Sequence, residues 1–166
     1  VVVGARGTIL ITSDGGNDWK TAATTVKDHL SGVTFSGEGL MTGWAVGTYG
    51  RIIKTTDGGA TWTEQPSGVE DHLSRVSAFN AETAAAVGEK GTVVITTDGG
   101  AKWTRSSPCG TGNMNGVAVT GAASIVAIGN AGCVARTSDA GATWTRISLF
   151  TRADFLSVCF ADEMNG

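Results

Sequence analysis

The sequence predicts an all-β fold, a β-propeller of four-stranded antiparallel blades, and three observations lead to it. A motif that runs from Thr56 to Trp62 occurs four times, with its aspartates 43, 41 and 41 residues apart. A period of this length is typical of solenoids and propellers. Glycine is abundant, at 25 copies against two prolines, which fits many short strands joined by tight turns. No stretch has the apolar spacing of a helix, so essentially no α-helix is expected.

The repeated motif predicts a tight turn followed by a strand. Each copy has a hydroxyl residue directly before the aspartate, a glycine two positions after it and a tryptophan five positions after it. Aspartate caps such a turn by accepting backbone N–H bonds, and glycine supplies the positive φ that the turn needs. The tryptophan ring then covers the hairpin. We therefore predict structural roles for Asp14, Gly16, Trp19, Asp57, Gly59, Trp62, Asp98, Gly100, Trp103, Asp139, Gly141 and Trp144.

Each repeat carries four strand signals, which the second repeat illustrates. Residues 30–35 alternate between apolar and polar, whereas 44–47 and 51–54 show little alternation and follow each other across a Gly-x-x-Gly hairpin signal. The fourth segment, 62–65, turns polar and precedes Pro66, as expected of an outer edge strand. Strands that are apolar on both faces must be covered on both. The sheets therefore stack face to face around an axis.

The repeat phase divides the single domain, 1–166, into four predicted blades. Blade 2 spans 30–66, blade 3 spans 73–107 and blade 4 spans 114–148, whereas blade 1 combines 1–24 with 155–161. Blade 1 is composite because Met164–Gly166 followed by Val1–Gly7 reads in register with Met41–Gly50. This predicts a Velcro closure, in which the inner strand 155–160 pairs with the strand Val1–Gly4 and leaves no inner edge exposed. The alternative is a larger ring, completed by further sequence or by a second chain.

Composition narrows the classes of partner. The net charge of −3 gives no sequence-wide basic field, so nucleic acid is not expected as a partner. No apolar run approaches the roughly 18 residues of a membrane span, and membrane insertion is not expected either. The three cysteines lack metal-ligand spacing. We expect Cys133 and Cys159 to be buried small apolar residues, and no metal or cofactor.

Strand order decides which end of the propeller carries candidate binding residues. The turns between second and third strands share one end with the connections between blades, whereas the aspartate turns lie at the other end. Loops on a rigid scaffold are where binding residues concentrate. The candidates at the first end are Arg6, Tyr49, Arg51, Lys90, His29 and His72. The two histidines occupy the same position of adjacent blades, where we expect a capping or surface role rather than a metal site.

The motif resembles the Asp-box of bacterial neuraminidase repeats. The longer pattern from Gly43 to Trp62 resembles the photosystem II stability and assembly factor family. The resemblance implies a propeller that acts without catalysis, as a lumenal or periplasmic chaperone of a reaction-centre subunit, and an arginine-rich binding face. Arg6 and Arg51 are candidates for that face, while Lys90 and Ala131 stand at the positions that match Arg6. An extracytoplasmic location is implied by this resemblance only.

Two other function classes remain open. Sialidases and xyloglucan-cleaving glycosidases also carry Asp-boxes, but Tyr49 is the only tyrosine and the Arg-Ile-Pro signature of sialidases is absent. Paired carboxylates of another glycosidase, or a glycan-binding face, would come from Asp28, Glu70, Asp71 and Asp154, which share the loop end. A third reading is an engineered or truncated propeller piece without activity of its own. We predict a non-catalytic scaffold that presents one loop face to a protein partner, as a monomeric ring or a homodimeric larger ring.

Overall fold

The computed structural model describes residues 1–162 and 165–166, and its strands form four antiparallel sheets, one for each repeat. Blade 1 contains β1 (Val2–Val3), β2 (Ile9–Ile11) and β3 (Lys20–Thr21); blade 2 contains β4 (Leu30–Ser36), β5 (Thr42–Gly47), β6 (Ile52–Thr55) and β7 (Thr63–Gln65); blade 3 contains β8 (Leu73–Ala78), β9 (Ala84–Gly88), β10 (Val93–Thr96) and β11 (Thr104–Ser106); blade 4 contains β12 (Met114–Val119), β13 (Ile125–Gly129), β14 (Val134–Thr137) and β15 (Thr145–Arg146). Consecutive strands pair within each sheet. The predicted all-β propeller fold is confirmed.

Helical structure in the described residues is limited to single 3-10 turns. They are Ala5–Gly7, Glu38–Leu40, Thr48–Gly50 and Glu89–Gly91. Three of these turns form the Gly-x-x-Gly hairpins between second and third strands. No helix in this part of the chain has the length and apolar character needed to cross a bilayer.

The core lies between the faces of neighbouring blades. Trp44 and Val46 of blade 2, which are fully buried, pack with Ala86 and Val94 of blade 3. A large side chain on one face therefore meets a small one on the other, as close packing of two sheets requires. The second strands read as continuous apolar runs because both of their faces are covered in this way.

The aspartate turns depend on a threonine that the sequence reasoning passed over. Thr55, two residues before Asp57, is buried, and its Oγ1 accepts the backbone N–H groups of Gly59 (2.9 Å) and Asp57 (3.3 Å) while donating to the Asp57 carboxylate (2.7 Å). The same set of bonds recurs at Thr12, Thr96 and Thr137. Thr56, directly before the aspartate, makes no side-chain hydrogen bond among the described residues. All four repeats carry threonine two residues before the aspartate, so this signal was present in the sequence.

We expect Thr55→Val to lower the free energy of unfolding by about 2 kcal/mol, because the buried Gly59 N–H would lose its acceptor. Thr56→Val removes a hydroxyl one residue away and should change stability by less than about 0.5 kcal/mol. Urea unfolding followed by tryptophan fluorescence measures both. Equal losses for the two variants would contradict the assignment of the capping role to Thr55.

The remaining bonds of the turn involve the aspartate and the tryptophan. Hydrogen bonds from Thr61 and Thr55 lower the pKa of Asp57 to about 2, so this carboxylate stays charged at neutral pH. The Trp62 indole N–H donates to the carbonyl of Gly59, which closes the turn against the ring (2.9 Å). Trp103 departs from this pattern, because its indole N–H donates to the Gln65 side chain of the preceding blade.

The predicted pairing of the segment 155–160 with the strand Val1–Gly4 is not found among the described residues. Residues 155–160 form no strand, and β1 pairs with β2 alone, so the sheet of blade 1 has three strands. The segment 155–160 instead lies against blade 4. The Phe155 N–H donates to the carbonyl of Gly129, and the Asn115 amide donates to the carbonyl of Phe155.

Repetition of one docking geometry explains this placement. The Phe155–Gly129 bond repeats the bond from the Leu30 N–H to the Gly4 carbonyl, through which blade 2 begins beside blade 1. The Ala161 N–H likewise donates to the carbonyl of Asn165, as Phe79 donates to Thr83 in the turn after the inner strand of blade 3. Residues 155–162 therefore continue the blade-to-blade progression beyond blade 4 rather than returning to β1. Met164, part of the predicted junction, lies outside the described residues.

Candidate functional site

One end of the propeller, called the loop face, gathers the turns between second and third strands and the connections between blades. It comprises the turns Ala5–Gly7, Thr48–Gly50, Glu89–Gly91 and 130–132, and the connections 22–29, 66–72, 107–113 and 147–154. Turn and connection are bonded directly, since the Gly7 N–H donates to the carbonyl of Asp28 and the Gly132 N–H to that of Ala153. The aspartate turns lie at the opposite end, where Gly58 donates to Met41 and Gly99 donates to Glu82.

The tip of each turn projects one side chain from a left-handed backbone. Arg6, Tyr49, Lys90 and Ala131 all have φ between 51° and 57°, a conformation that costs a non-glycine residue free energy. At three of the four tips the connection leading to the next blade caps this residue: the Tyr49 N–H donates to His72 Nδ1 (3.4 Å), and the Ala131 N–H donates to Asp154 Oδ1 (2.8 Å). Asn113 does the same for Lys90. These three tips are therefore fixed in position while their side chains face solvent, and the turn of Arg6 is held by the bond from the Gly7 N–H to Asp28.

Tyr49 and His72 form an aromatic pair on this face. Their ring centroids are 5.2 Å apart and the rings are tilted by 47°. Tyr49 is 69% exposed, so most of its largely apolar ring lies in solvent. An exposed aromatic ring held by a neighbour is the kind of residue that anchors protein partners. The pair joins blades 2 and 3, because Tyr49 belongs to the turn of one and His72 to the connection into the other.

Two of the predicted cations are held in ion pairs. Arg51 bonds the carboxylates of Asp28 (2.6 Å) and Glu64, and 31% of its side chain is exposed. Lys90 pairs with Asp71 at 2.9 Å, an interaction that lowers the pKa of Asp71 and raises the pKa of Lys90. Paired in this way, Arg51 fastens the connection entering blade 2 to the start of its third strand, and Lys90 fastens the connection entering blade 3 to the turn before its third strand. They offer less free charge to a partner than the sequence suggested.

Blade 4 has a disulfide where blades 2 and 3 have these ion pairs. Cys109, in the connection entering blade 4, is bonded to Cys133 at the start of its third strand, the position of Arg51 and Thr92 in the preceding blades. Cys133 is buried, as expected, but as half of a disulfide that the odd cysteine count concealed. Cys159, in the segment 155–160, is exposed and free, contrary to expectation.

The loop face keeps other cations free of ion pairs among the described residues. Arg6 is exposed at the tip of blade 1. Arg146 and Arg152, which sequence reasoning did not single out, line a cavity of about 410 Å³ together with Ile147 and Leu149. Arg146 occupies the position of Arg105 in blade 3 and of Glu64 in blade 2. Because the residue type changes between repeats, the sequence alone does not mark this position as a binding site. The free positive charge of the face thus lies on blades 1 and 4.

The carboxylates on the loop face are mostly committed to structure. Asp28 and Asp71 are in ion pairs, and Asp154 caps the turn of blade 4. Glu70 is exposed and has no ion pair among the described residues. His29 is also exposed, and among the described residues its side chain makes no hydrogen bond, while its backbone carbonyl accepts the Thr48 N–H. In the described part of the chain, no three histidine, cysteine or acidic side chains are grouped as metal ligands would be.

Comparison with known proteins identifies the repeats. The model of the family described as photosynthesis system II assembly factor YCF48 matches residues 21–151. The structure of YCF48 from Cyanidioschyzon merolae is 28% identical with a TM-score of 0.66, over 77% of this chain and 42% of that one. The structure of YCF48 bound to D1 peptide is 25% identical with a TM-score of 0.69, over 86% of this chain and 46% of that one. This chain therefore spans less than half the length of either.

A more distant likeness extends to enzymes. An ancestral GH74 enzyme has a TM-score of 0.66 at 16% identity, over 90% of this chain and 23% of that one. At this identity the likeness shows the propeller fold alone. No match was found among the curated proteins compared with this sequence.

Proposed function

Because the chain belongs to the photosystem II assembly factor YCF48 family, we propose that it is a non-catalytic module that holds a segment of a partner protein on its loop face. The observation that carries the proposal is the similar structure of YCF48 bound to D1 peptide. The D1 peptide is bound by that similar protein, and by analogy we propose a segment of D1 as the partner of this chain. The loop face supports the proposal because it combines rigid turns with exposed side chains.

The loop-face residues fall into two groups, those with exposed side chains free to contact the partner and those held by other side chains. Arg6 and Tyr49 project from fixed tips and are exposed, and Arg146 and Arg152 flank a cavity. Arginine and tyrosine dominate the binding energy of many protein interfaces. Arg51 and Lys90, which are ion-paired, are proposed mainly to hold the face in shape, as is His72 through its bond to Tyr49.

Titration of the chain with a D1 peptide by isothermal calorimetry tests the proposal. We expect Arg6→Ala and Tyr49→Ala each to weaken binding about five- to tenfold, as loss of a contacting residue at an interface does. Lys102→Ala, which removes an exposed lysine beside an aspartate turn at the opposite end, is the matched control and should leave affinity unchanged. Equal effects of all three variants, or no binding of the wild type, would contradict the assigned face.

The glycosidase alternative is tested separately. Three of the four carboxylates considered for catalysis are held in ion pairs or a cap, whereas a glycosidase needs two that face one substrate. We therefore propose that the chain hydrolyses neither sialyl substrates nor xyloglucan. Hydrolysis of either substrate that is lost in Glu70→Gln would overturn the non-catalytic assignment.

We also propose that the protein functions in an oxidising compartment, because such compartments are where disulfides like Cys109–Cys133 form and persist.

A further inference from the structure

A polar cavity of about 400 Å³ opens on the loop face where blades 2, 3 and 4 meet. Each of these three blades has all four of its strands. The walls come from equivalent places in successive repeats, which are the starts of the inner strands, the turns between second and third strands and the connections between blades. Their polar residues include Ser31, Thr48, His72, Glu89, Asn113 and Asn115.

Glu89 is the residue that gives this cavity a charge. The other repeats have uncharged residues at the same turn position, namely Ala5, Thr48 and Asn130. The neighbouring Lys90 is held by Asp71, at 2.9 Å, rather than by Glu89. Glu89 is exposed and has no ion pair among the described residues. Its carboxylate is therefore available to a ligand.

Hydrogen bonds of the backbone hold Glu89 and His72 side by side. The Glu89 N–H donates to the carbonyl of His72, and the Glu89 carbonyl accepts the N–H of Thr92, both at 3.0 Å. His72 Nδ1 accepts the Tyr49 N–H, so a neutral imidazole carries its proton on Nε2. The exposed Tyr49 ring packs beside the His72 ring, with centroids 5.2 Å apart. An aromatic pair and a carboxylate are thus presented together from a fixed backbone.

We propose that this cavity binds an arginine side chain of the partner segment, an inference that deepens the proposed function and rests on it. A guanidinium group stacks on aromatic rings and forms paired N–H bonds with a carboxylate. Tyr49 and His72 supply the rings, and Glu89 supplies the carboxylate. The amide oxygen of Asn115 is a further acceptor, because its amide nitrogen donates elsewhere.

Arg75 raises the opposite possibility, a site for an anion. This residue is exposed on β8, and its guanidinium donates to the carbonyl of Ser74, a lining residue (2.9 Å). Arg75 itself does not line the cavity, whereas Glu89 does. The lining therefore favours a cationic ligand, and an acidic probe represents the other possibility in the test.

Chemical-shift mapping of the nitrogen-15-labelled 166-residue chain tests the proposal with a set of short peptides. Each peptide is blocked at both ends and has glycine and serine around one central residue: arginine, its neutral isostere citrulline, lysine or glutamate. The arginine peptide should shift the amide signals of His72, Glu89 and Asn113. The citrulline and lysine peptides should bind about three- to tenfold more weakly, because one lacks the charge and the other lacks the planar group. Binding of either as tight as that of arginine, or shifts of these signals by the glutamate peptide, would overturn the proposal.

A matched pair of variants tests the role of the carboxylate. Glu89→Gln keeps the shape of the side chain and removes its charge, and should weaken the arginine peptide about three- to tenfold. Glu82→Gln makes the same change of net charge at an exposed residue of the aspartate-turn end, and should leave the affinity unchanged. Far-UV circular dichroism shows that both variants are folded. Equal affinities of the two variants would overturn the assignment of Glu89.

The result is separable from that of the D1 peptide titration. A D1 peptide that fails to bind overturns the proposed partner, even where the arginine peptide shifts the cavity signals. An arginine peptide that leaves those signals unchanged overturns the arginine site alone, even where the D1 peptide binds.

Discussion

Replacing Gly91 by alanine is expected to lower the free energy of unfolding by about 4 kcal/mol or to abolish folding, which would be an exceptionally large effect for one methyl group. Gly91 ends the turn of blade 3 with φ of 71°, a conformation strained for alanine. A Cβ there would also overlap the carbonyl oxygen of Gly110 in the connection entering blade 4. Relief requires the connection to move away from the turn, and the Cys109–Cys133 disulfide opposes that movement.

Gly68→Ala is the matched control for this experiment. Gly68 has φ of 73°, nearly the value of Gly91, but no atom lies within 4 Å of the position a Cβ would take. Its substitution should cost only the backbone strain, about 1 kcal/mol. Chemical unfolding of both variants measures the difference. A loss at Gly91 no larger than that at Gly68 would show that the close approach seen in blade 3 is relieved without cost.

The repeat architecture could be predicted because its signals are local and recur. The motif tryptophan, the aspartate turn and the apolar second strand each appear four times in the sequence, and stacking is the only way such sheets bury both faces. Gly91 and its counterparts were recognised as hairpin glycines. Their second role, making room for the connection to the next blade, depends on a contact between distant residues and has no local signal.

Closure and the state of the cations could not be predicted for a related reason. The segment 155–160 has the pattern of an inner strand, and the pattern does not say whether β1 or blade 4 receives it. Arg51 and Lys90 are identified by charge and position, yet whether a cation is free depends on carboxylates that the fold brings beside it, such as Glu64 beside Arg51 and Asp71 beside Lys90. The sequence therefore located the loop face better than it ranked the residues on it.

The Cys109–Cys133 disulfide is the second feature with a large expected effect. The bond joins residues 24 positions apart, and a cross-link of that length stabilises a small domain by about 3 kcal/mol, mainly by restricting the unfolded chain. We expect addition of a reductant to lower the free energy of unfolding by this amount, which appears as a lower urea midpoint. In denaturant without reductant one thiol, that of Cys159, should react with Ellman's reagent, and three should react after reduction.

Substitution of the cysteines tests whether the loss of stability comes from the disulfide itself. Cys109→Ser combined with Cys133→Ala should reproduce the reduced midpoint and make it insensitive to reductant, while Cys159→Ser should leave both midpoints unchanged. The loss is expected to be local at first, because blades 2 and 3 keep the ion pairs that fasten their connections, and blade 4 has only the disulfide at that position. Hydrogen exchange should then rise in 107–113 before it rises in β9 or β10. A uniform rise across the blades would contradict the view that each connection is fastened independently.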